Sequence, residues 1–276
     1  MSRAKAGKIV ATALMAAFSV LFLVPLIWMV SAASKVESEV LEYPIRWIPD
    51  HWNFAANFRT VWLGDVPFAL FYWNSFKLAA AMTLGTLLFS SMAAFSLSKL
   101  RFRGRDLAFG LLLSFMIIPP EATLVPRYML MKWFHLYNSH EGLIVMGLFS
   151  IYFTFLLRQF MLGIHNDFIE AARMDGAGYA TVYWRIMIPL SKPILATVAI
   201  IKFIWSWNDY QNALIFLIDR DLYPIPLGMQ LFRNDFADNY SVLMMASLSA
   251  IVPLLLVFVV LQKQVIKGIS LGGVKG

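Results

Sequence analysis

Glu170-Ala171-Ala172-Arg173-Met174-Asp175-Gly176-Ala177-Gly178 decides how the rest of this chain is read. It is a polar, helix-competent island between two long apolar segments, 142–161 and 193–218. Asp167 stands three residues before Glu170, the spacing of a capping box in which each side chain satisfies an orphan backbone N–H of the first turn. Gly176 and Gly178 read as the stop, since glycine accepts the left-handed conformation of a helix end. The predicted helix is about two turns long, too short to persist alone in water. It needs a surface to pack against. Phe168 and Ala172 share a face at i, i+4, and Ala171 and Ala172 are small enough for a partner to approach closely. Glu170 offers its carboxylate to a partner cation or only to its own cap, so a solvated, locally capped loop helix also satisfies the spacing.

Outward from this island the chain is apolar. Its 276 residues are 60% hydrophobic and 14% charged, where soluble domains carry about a quarter charged residues. Runs of about 20 apolar residues, long enough to cross a bilayer, recur at 9–30, 71–97, 107–125, 142–161, 193–218 and 241–262. They predict an all-α polytopic membrane protein with six transmembrane helices. A single membrane domain over 1–276 leaves no room for a separate soluble enzyme. Arg3, Lys5 and Lys8 precede the first run, but at about 22 residues it exceeds the h-region of a signal peptide, so it is expected to be retained as a membrane helix. The absence of cysteine excludes disulfides and thiolate chemistry.

Charge sets the expected orientation. Thirteen of the 23 Lys and Arg residues fall in the two ends, the 98–106 turn, the 162–192 loop and the segment after 262; seven fall in the alternate loops. Basic residues are retained on the cytoplasmic face, which places both termini and the 98–106 and 162–192 segments there. The acids lean the other way, with Glu37, Glu39, Glu42, Asp219 and Asp221 among those outside, an excess that disfavours a strongly anionic substrate. The net charge of +7 is then an orientation signal, not a nucleic-acid footprint, because the basic residues flank membrane helices. Residues 31–70, with Arg46-Trp47-Ile48-Pro49 and Trp52-Asn53, suit an irregular external segment at the headgroup level.

No motif for catalysis or cofactor binding occurs. His51, His135, His140 and His165 lack metal-ligand spacing, Gly176-Ala177-Gly178 follows no strand, and no phosphate-binding G-x-x-x-x-G-K-[ST] is present. If the protein uses ATP, a partner binds it. Pro119-Pro120 ends or kinks the third helix; an end at the outer surface is expected, a break lining a pathway being the alternative.

The fifth run carries Lys202, Trp205, Ser206, Asp209, Asn212 and Phe216. On one continuous helix these fall within a stripe of roughly 120°. A charge at bilayer depth costs about 2.5–3.5 kcal/mol on the insertion scale, so such a stripe faces either a cavity, as part of a translocation path, or a partner helix, with Lys202 snorkelling toward the cytoplasm. Lys202 and Asp209 would stand about 10 Å apart along the axis, too far for a direct pair.

Glu170-Ala171-Ala172, Gly176 and Ile188-Pro189-Leu190 resemble the EAA coupling motif of ABC importer permeases. Pro25-Leu26-Ile27-Trp28, Trp73-Asn74-Ser75, Val125-Pro126-Arg127-Tyr128, Phe155-Leu156-Leu157-Arg158-Gln159-Phe160 and Gly272-Gly273-Val274-Lys275-Gly276 extend the resemblance to the carbohydrate (maltose-type) permeases over almost the whole chain. They resemble the second of two non-identical permease subunits, a binding-protein-dependent inner-membrane component. Met174-Asp175 stands where Ile-Asp is common. The resemblance implies an ABC type I importer permease fold in the bacterial cytoplasmic (inner) membrane, with 162–192 as the cytoplasmic coupling loop. It implies that Glu170, Ala171, Ala172, Asp175 and Gly176 dock a cytoplasmic ATPase dimer, which binds the ATP and Mg while this chain binds no cofactor directly. The remaining implied partners are a homologous permease, an extracytoplasmic substrate-binding protein, membrane lipid and a sugar or oligosaccharide, with Trp205, Ser206, Asp209 and Asn212 on the path. A stand-alone secondary transporter is the competing class. Asp209 is the only acid clearly inside a run, and no internal repeat is evident. A membrane enzyme would need a nucleophile–base or metal constellation.

Overall fold

A computed structural model describes the backbone of residues 3–272 and the side chains of residues 7–263. The side chains of Arg3, Lys5 and Lys267 and the terminal Gly273-Val274-Lys275-Gly276 lie outside the described residues. Within them the chain forms helices and no strand. In order these are α1 (Arg3–Ala33), α2 (Glu37–Val40), α3 (Phe54–Leu63), α4 (Phe68–Lys99), α5 (Arg105–Ser114), α6 (Leu124–Trp133), α7 (His140–Gly147), α8 (Ile151–Leu162), α9 (Asp167–Met174), α10 (Tyr179–Val182), α11 (Ile188–Leu190), α12 (Lys192–Trp207), α13 (Tyr210–Phe216), α14 (Ile225–Asp235) and α15 (Tyr240–Gly272).

Four segments are long and apolar enough to cross a membrane: Gly7–Ala33, Phe68–Lys99, His140–Leu162 and Tyr240–Lys263. Two further apolar stretches are bent pairs, Arg105–Ile117 with Pro120–Trp133 at 98° and Tyr179–Leu190 with Lys192–Trp207 at 77°. The described chain therefore holds four such helices, or up to six if each bent pair counts as one span.

The runs 107–125 and 193–218 are interrupted for local chemical reasons, the first at the Pro119-Pro120 pair expected to end or kink it and the second where one continuous helix was expected. Pro120 forces Pro119 into extended backbone, φ −63° and ψ 141°, because the ring of a proline crowds an α conformation in the residue before it. Asp209 leaves the helical region at φ −75° and ψ 83°. Between the coupling segment and α12, the ring of Pro189 would clash with the Arg185 carbonyl in an α-helix. The chain instead makes a π-turn over Tyr183–Met187, and Ser191 donates its N–H to both Met187 O (2.9 Å) and Ile188 O (3.2 Å).

The chain forms two compact units. One holds the residues up to Ala69 with Met229–Val252. Within it the segment after α1 is more ordered than its composition predicts. Lys35, in the segment 31–70 expected to be irregular, is 1% exposed. Its ammonium donates to Arg46 O (2.6 Å) and lies 4.9 Å from the Trp28 ring centre. Asn57 donates to both Ala33 O and Lys35 O at 2.9 Å. A buried ammonium is tolerable only with such acceptors. Near the start of α15, Ser241 donates its N–H to Glu37 Oε2 (2.8 Å). The most apolar stretch of α1 is not buried at all. A helix apolar on every side needs an apolar solvent.

The second unit holds Leu70–Gly228 and the chain from Pro253. One of its cores gathers Phe95, Phe153, Leu157, Met161, Tyr183 and Met187; another gathers Leu78, Met82, Leu143, Ala213 and Phe216. Polar pins lock the neighbouring helices: Ser91 Oγ and Tyr183 Oη are 2.6 Å apart, and Thr86 donates to Gly147 O at 2.8 Å.

Candidate functional site

Helix α9 is seated by one face and bare on the other. Ile169 is buried in the first core of the second unit, and Ala172 and Ala177 pack against it. Glu170, Ala171, Asp175 and Gly176 are exposed, as are Phe168 (53%) and Met174 (84%). The capping box does not form. Asn166 occupies the cap position with helical backbone and no side-chain cap bond, and Asp167 is the first helical residue. Lys99 explains why Asn166 is held differently. Its ammonium, expected only as an orientation charge, donates to Ile164 O (2.6 Å) and Asn166 Oδ1 (2.9 Å), which engages the oxygen that would otherwise cap.

The C-terminal stop forms at Gly176, with φ 82°. Ala177 donates to Ala172 O at 2.9 Å and Gly176 to Arg173 O at 3.0 Å, the paired bonds of a Schellman motif. Gly178, read as part of the same stop, is extended and begins α10. The Arg173 guanidinium lies 4.4 Å from the Tyr179 ring centre. Of the residues expected to dock a partner, Glu170, Ala171 and Asp175 are therefore free to do so, while Ala172 is half-buried against its own core.

The polar stripe divides at the break after α12. Phe216 is buried in the second core. Trp205, 52% exposed, packs on Tyr152 and Phe153 with ring centres 5.5 and 5.1 Å away. The Ser206 hydroxyl is buried without a hydrogen-bond partner among the described residues. Asp209 caps α13, accepting from the Asn212 N–H at 3.1 Å and the Asn212 side-chain amide at 2.8 Å. A carboxylate cap suits the positive end of a helix.

Arg127, named by sequence only within the Val125-Pro126-Arg127-Tyr128 motif and given no role at this site, lies in α6. Arg127 Nη1 donates to Asn212 Oδ1 (3.3 Å) and Nη2 to Pro120 O (3.2 Å). One guanidinium thus joins the Pro119–Pro120 break to the Asn208–Asp209 break. Arg127, Lys202, Asp209 and Asn212 line a cavity of about 100 Å³, walled by Met82, Leu143 and Met146. Lys202 and Asp209 form no direct ion pair among the described residues. Trp205, Asn208, Asp209 and Tyr210 line an open cleft, so Asp209 faces both spaces. Among the described residues no three His, Asp or Glu side chains gather to hold a metal ion.

Arg158 was a motif residue without an assigned task. It is buried in α8, donates Nε to Leu97 O at 3.1 Å, and stacks 3.8 Å from the Phe109 ring centre. Its place is structural, tying α8 to the end of α4 and to α5.

Interrupted apolar helices with polar breaks, and a short helix seated on the core by one face, define a multi-pass helical permease. The chain belongs to the family described as the binding-protein-dependent transport system inner membrane component, whose model matches residues 86–270. It is 32% identical over 259 residues to the arabinooligosaccharides transport system permease protein AraQ of Bacillus subtilis (strain 168), covering 94% of this chain and 92% of that one. It is 34% identical over 243 residues to the melibiose/raffinose/stachyose import permease protein MelC of the same organism, covering 85% and 86%. Its fold matches a chain of a bacterial ABC transporter involved in the import of the acidic polysaccharide alginate, with a TM-score of 0.81, 26% identity and coverage of 95% and 98%. These relatives are transport proteins.

Proposed function

We propose that this chain is one membrane permease of an ATP-driven importer for a sugar or oligosaccharide, working beside a second, homologous permease. An extracytoplasmic binding protein delivers the substrate, and a cytoplasmic ATPase dimer that binds ATP and Mg drives the cycle. In this reading each bent pair is one span, giving six, and both termini and the 162–192 loop are cytoplasmic in the bacterial inner membrane. Helix α9 docks the ATPase, and Trp205, Ser206, Asp209 and Asn212 belong to the translocation path. ATP-driven closure of the ATPase moves α9, and the π-turn and Ser191 bend carry the motion to α12. Alternating access follows from stabilising one of two membrane states over the other. Family membership and sugar-importing relatives support the class.

The single observation that carries the coupling role is the exposed side of α9. Phe168, Ala171 and Met174 are exposed while Ile169 anchors the helix, and the Glu170 carboxylate makes no hydrogen bond or ion pair with a described residue. An apolar helix face left uncovered at a membrane protein's aqueous edge marks a protein interface. The test is Ala171→Trp. Bulk on the free face should abolish ATPase recovery in a detergent pull-down while the chain still inserts in the membrane. Undiminished ATPase recovery and transport would remove α9 from the coupling role.

A further inference from the structure

We propose that the cavity lined by Arg127, Lys202 and Asp209 is a subsite for one oxyanion group, the carboxylate of an acidic sugar. The proposal rests on the reading of α12 and α13 as part of the translocation path and names the substrate class it passes.

The cavity has an unbalanced charge. Arg127 and Lys202 bring two cations against one carboxylate. That carboxylate is already engaged, since both Asp209 oxygens accept from Asn212. The cations are not. Arg127 uses Nη1 and Nη2, but its Nε–H is buried without an acceptor. Lys202 makes no hydrogen bond or ion pair with a described residue. The buried Arg127 Nε–H, without an acceptor, carries the full cost of lost hydration, and Lys202, without a direct partner among the described residues, leaves a second donor for a ligand. An incoming oxyanion satisfies both at once through charge-assisted hydrogen bonds. The thioether and aliphatic walls of Met82, Leu143 and Met146 lower the local dielectric and strengthen that contact.

Size admits the group. A cavity of about 100 Å³ is well above the about 10–15 Å³ that a single water needs, so a carboxylate fits. Asp209 also lines the cleft with Trp205 and Tyr210, so a ring can rest there on aromatic surface while its carboxylate enters the cavity. The acidic excess of the external loops does not oppose this, because loop charges are screened beyond about 10 Å and the two cations act at contact.

The chain has no cysteine, so Met146→Cys places one thiol in the cavity wall. Membrane vesicles containing the full-length chain are treated with a small methanethiosulfonate reagent in D-glucuronate, D-glucose or sodium chloride at equal ionic strength. D-glucuronate should slow labelling saturably, and glucose and chloride should not. In that background, Arg127→Gln and Lys202→Met should each weaken protection by about tenfold or more, the worth of a charge-assisted bond. Asp209→Asn, which keeps a capping side chain, should strengthen it. A purely structural role for these side chains predicts no such opposition of sign. Equal protection by chloride, or none by glucuronate, overturns the oxyanion subsite while a reactive Met146→Cys leaves the path reading standing. If Met146→Cys and Trp205→Cys are both unreactive from either face, the path reading fails and takes the subsite with it.

Discussion

Gly176 holds a φ of 82° with no atom within 4 Å of where a Cβ would stand. The cost of Gly176→Ala is therefore conformational, about 1 kcal/mol for a left-handed L-residue. It falls on the two Schellman bonds that end α9. Amide exchange at Ala177 should accelerate while the rest of the second unit is unchanged; equal protection would show that the motif does not hold the stop. In the first unit, His51 Nδ1 lies 2.5 Å from Glu39 Oε1. This hydrogen bond holds the Glu39 carboxyl below the usual carboxylate range. A carboxyl depressed in the folded state contributes its stability above the ordinary carboxylate pKa and loses it as pH falls through the depressed value. His51→Gln should return the NMR-detected Glu39 titration toward the ordinary range, and an unmoved midpoint would contradict the assignment. Residue identity alone flagged Asp209, Asn212 and Gly176. It gave Arg127 no role at this site, because its partner Asn212 is 85 positions away and only folding brings α6 to the break before α13.

At the scale of elements, α9 was legible in its existence and in its stop at Gly176, but not in its cap or its buried face. Capping depends on competition for Asn166 by Lys99, a contact across 67 positions. The buried face depends on a core supplied by α4, α8 and the π-turn. Sequence spacing put Ala172 on the docking side. Its packing instead predicts that Ala172→Trp overpacks the core and destabilises the chain by about 1–3 kcal/mol, whereas Ala171→Trp leaves stability intact and removes docking. Thermal unfolding of the two variants in detergent separates these effects, and equal losses of stability would mean that both positions are buried. Of the breaks inside the apolar runs, the one at Pro119-Pro120 was legible, whereas the one at Asn208–Asp209 was hidden because average hydropathy is blind to backbone continuity. The punctuation was present, with Pro119-Pro120, Pro189 and the helix-starting Asp209, each with a known steric or capping effect.

For the whole molecule the open quantity is the number of crossings, and one contact bears on it. Lys99 ends the helix Phe68–Lys99, and Asn166 precedes α9 just past the segment His140–Leu162. Their hydrogen bond puts both on one side of the bilayer. Between them lie the bent pair Arg105–Trp133 and the helical segment His140–Leu162. If His140–Leu162 crosses once, the bent pair must cross as well, because a re-entrant pair would return the chain to the side it left and carry α9 to the opposite face. On the proposed orientation the basic turn Arg101–Arg105 puts the shared side at the cytoplasm, where the proposed docking of α9 needs it. The cysteine-free chain allows a direct check with single exposed sites chosen to avoid strain: Glu42→Cys, Arg103→Cys in preference to the left-handed Gly104 (φ 85°), and Ala171→Cys. An impermeant thiol reagent should label Glu42→Cys from outside, and Arg103→Cys and Ala171→Cys only from the cytoplasm. Labelling of Ala171→Cys and Arg103→Cys from opposite faces would make the bent pair re-entrant, leave an odd number of crossings between α9 and the basic turn, and place α9 out of reach of any cytoplasmic ATPase.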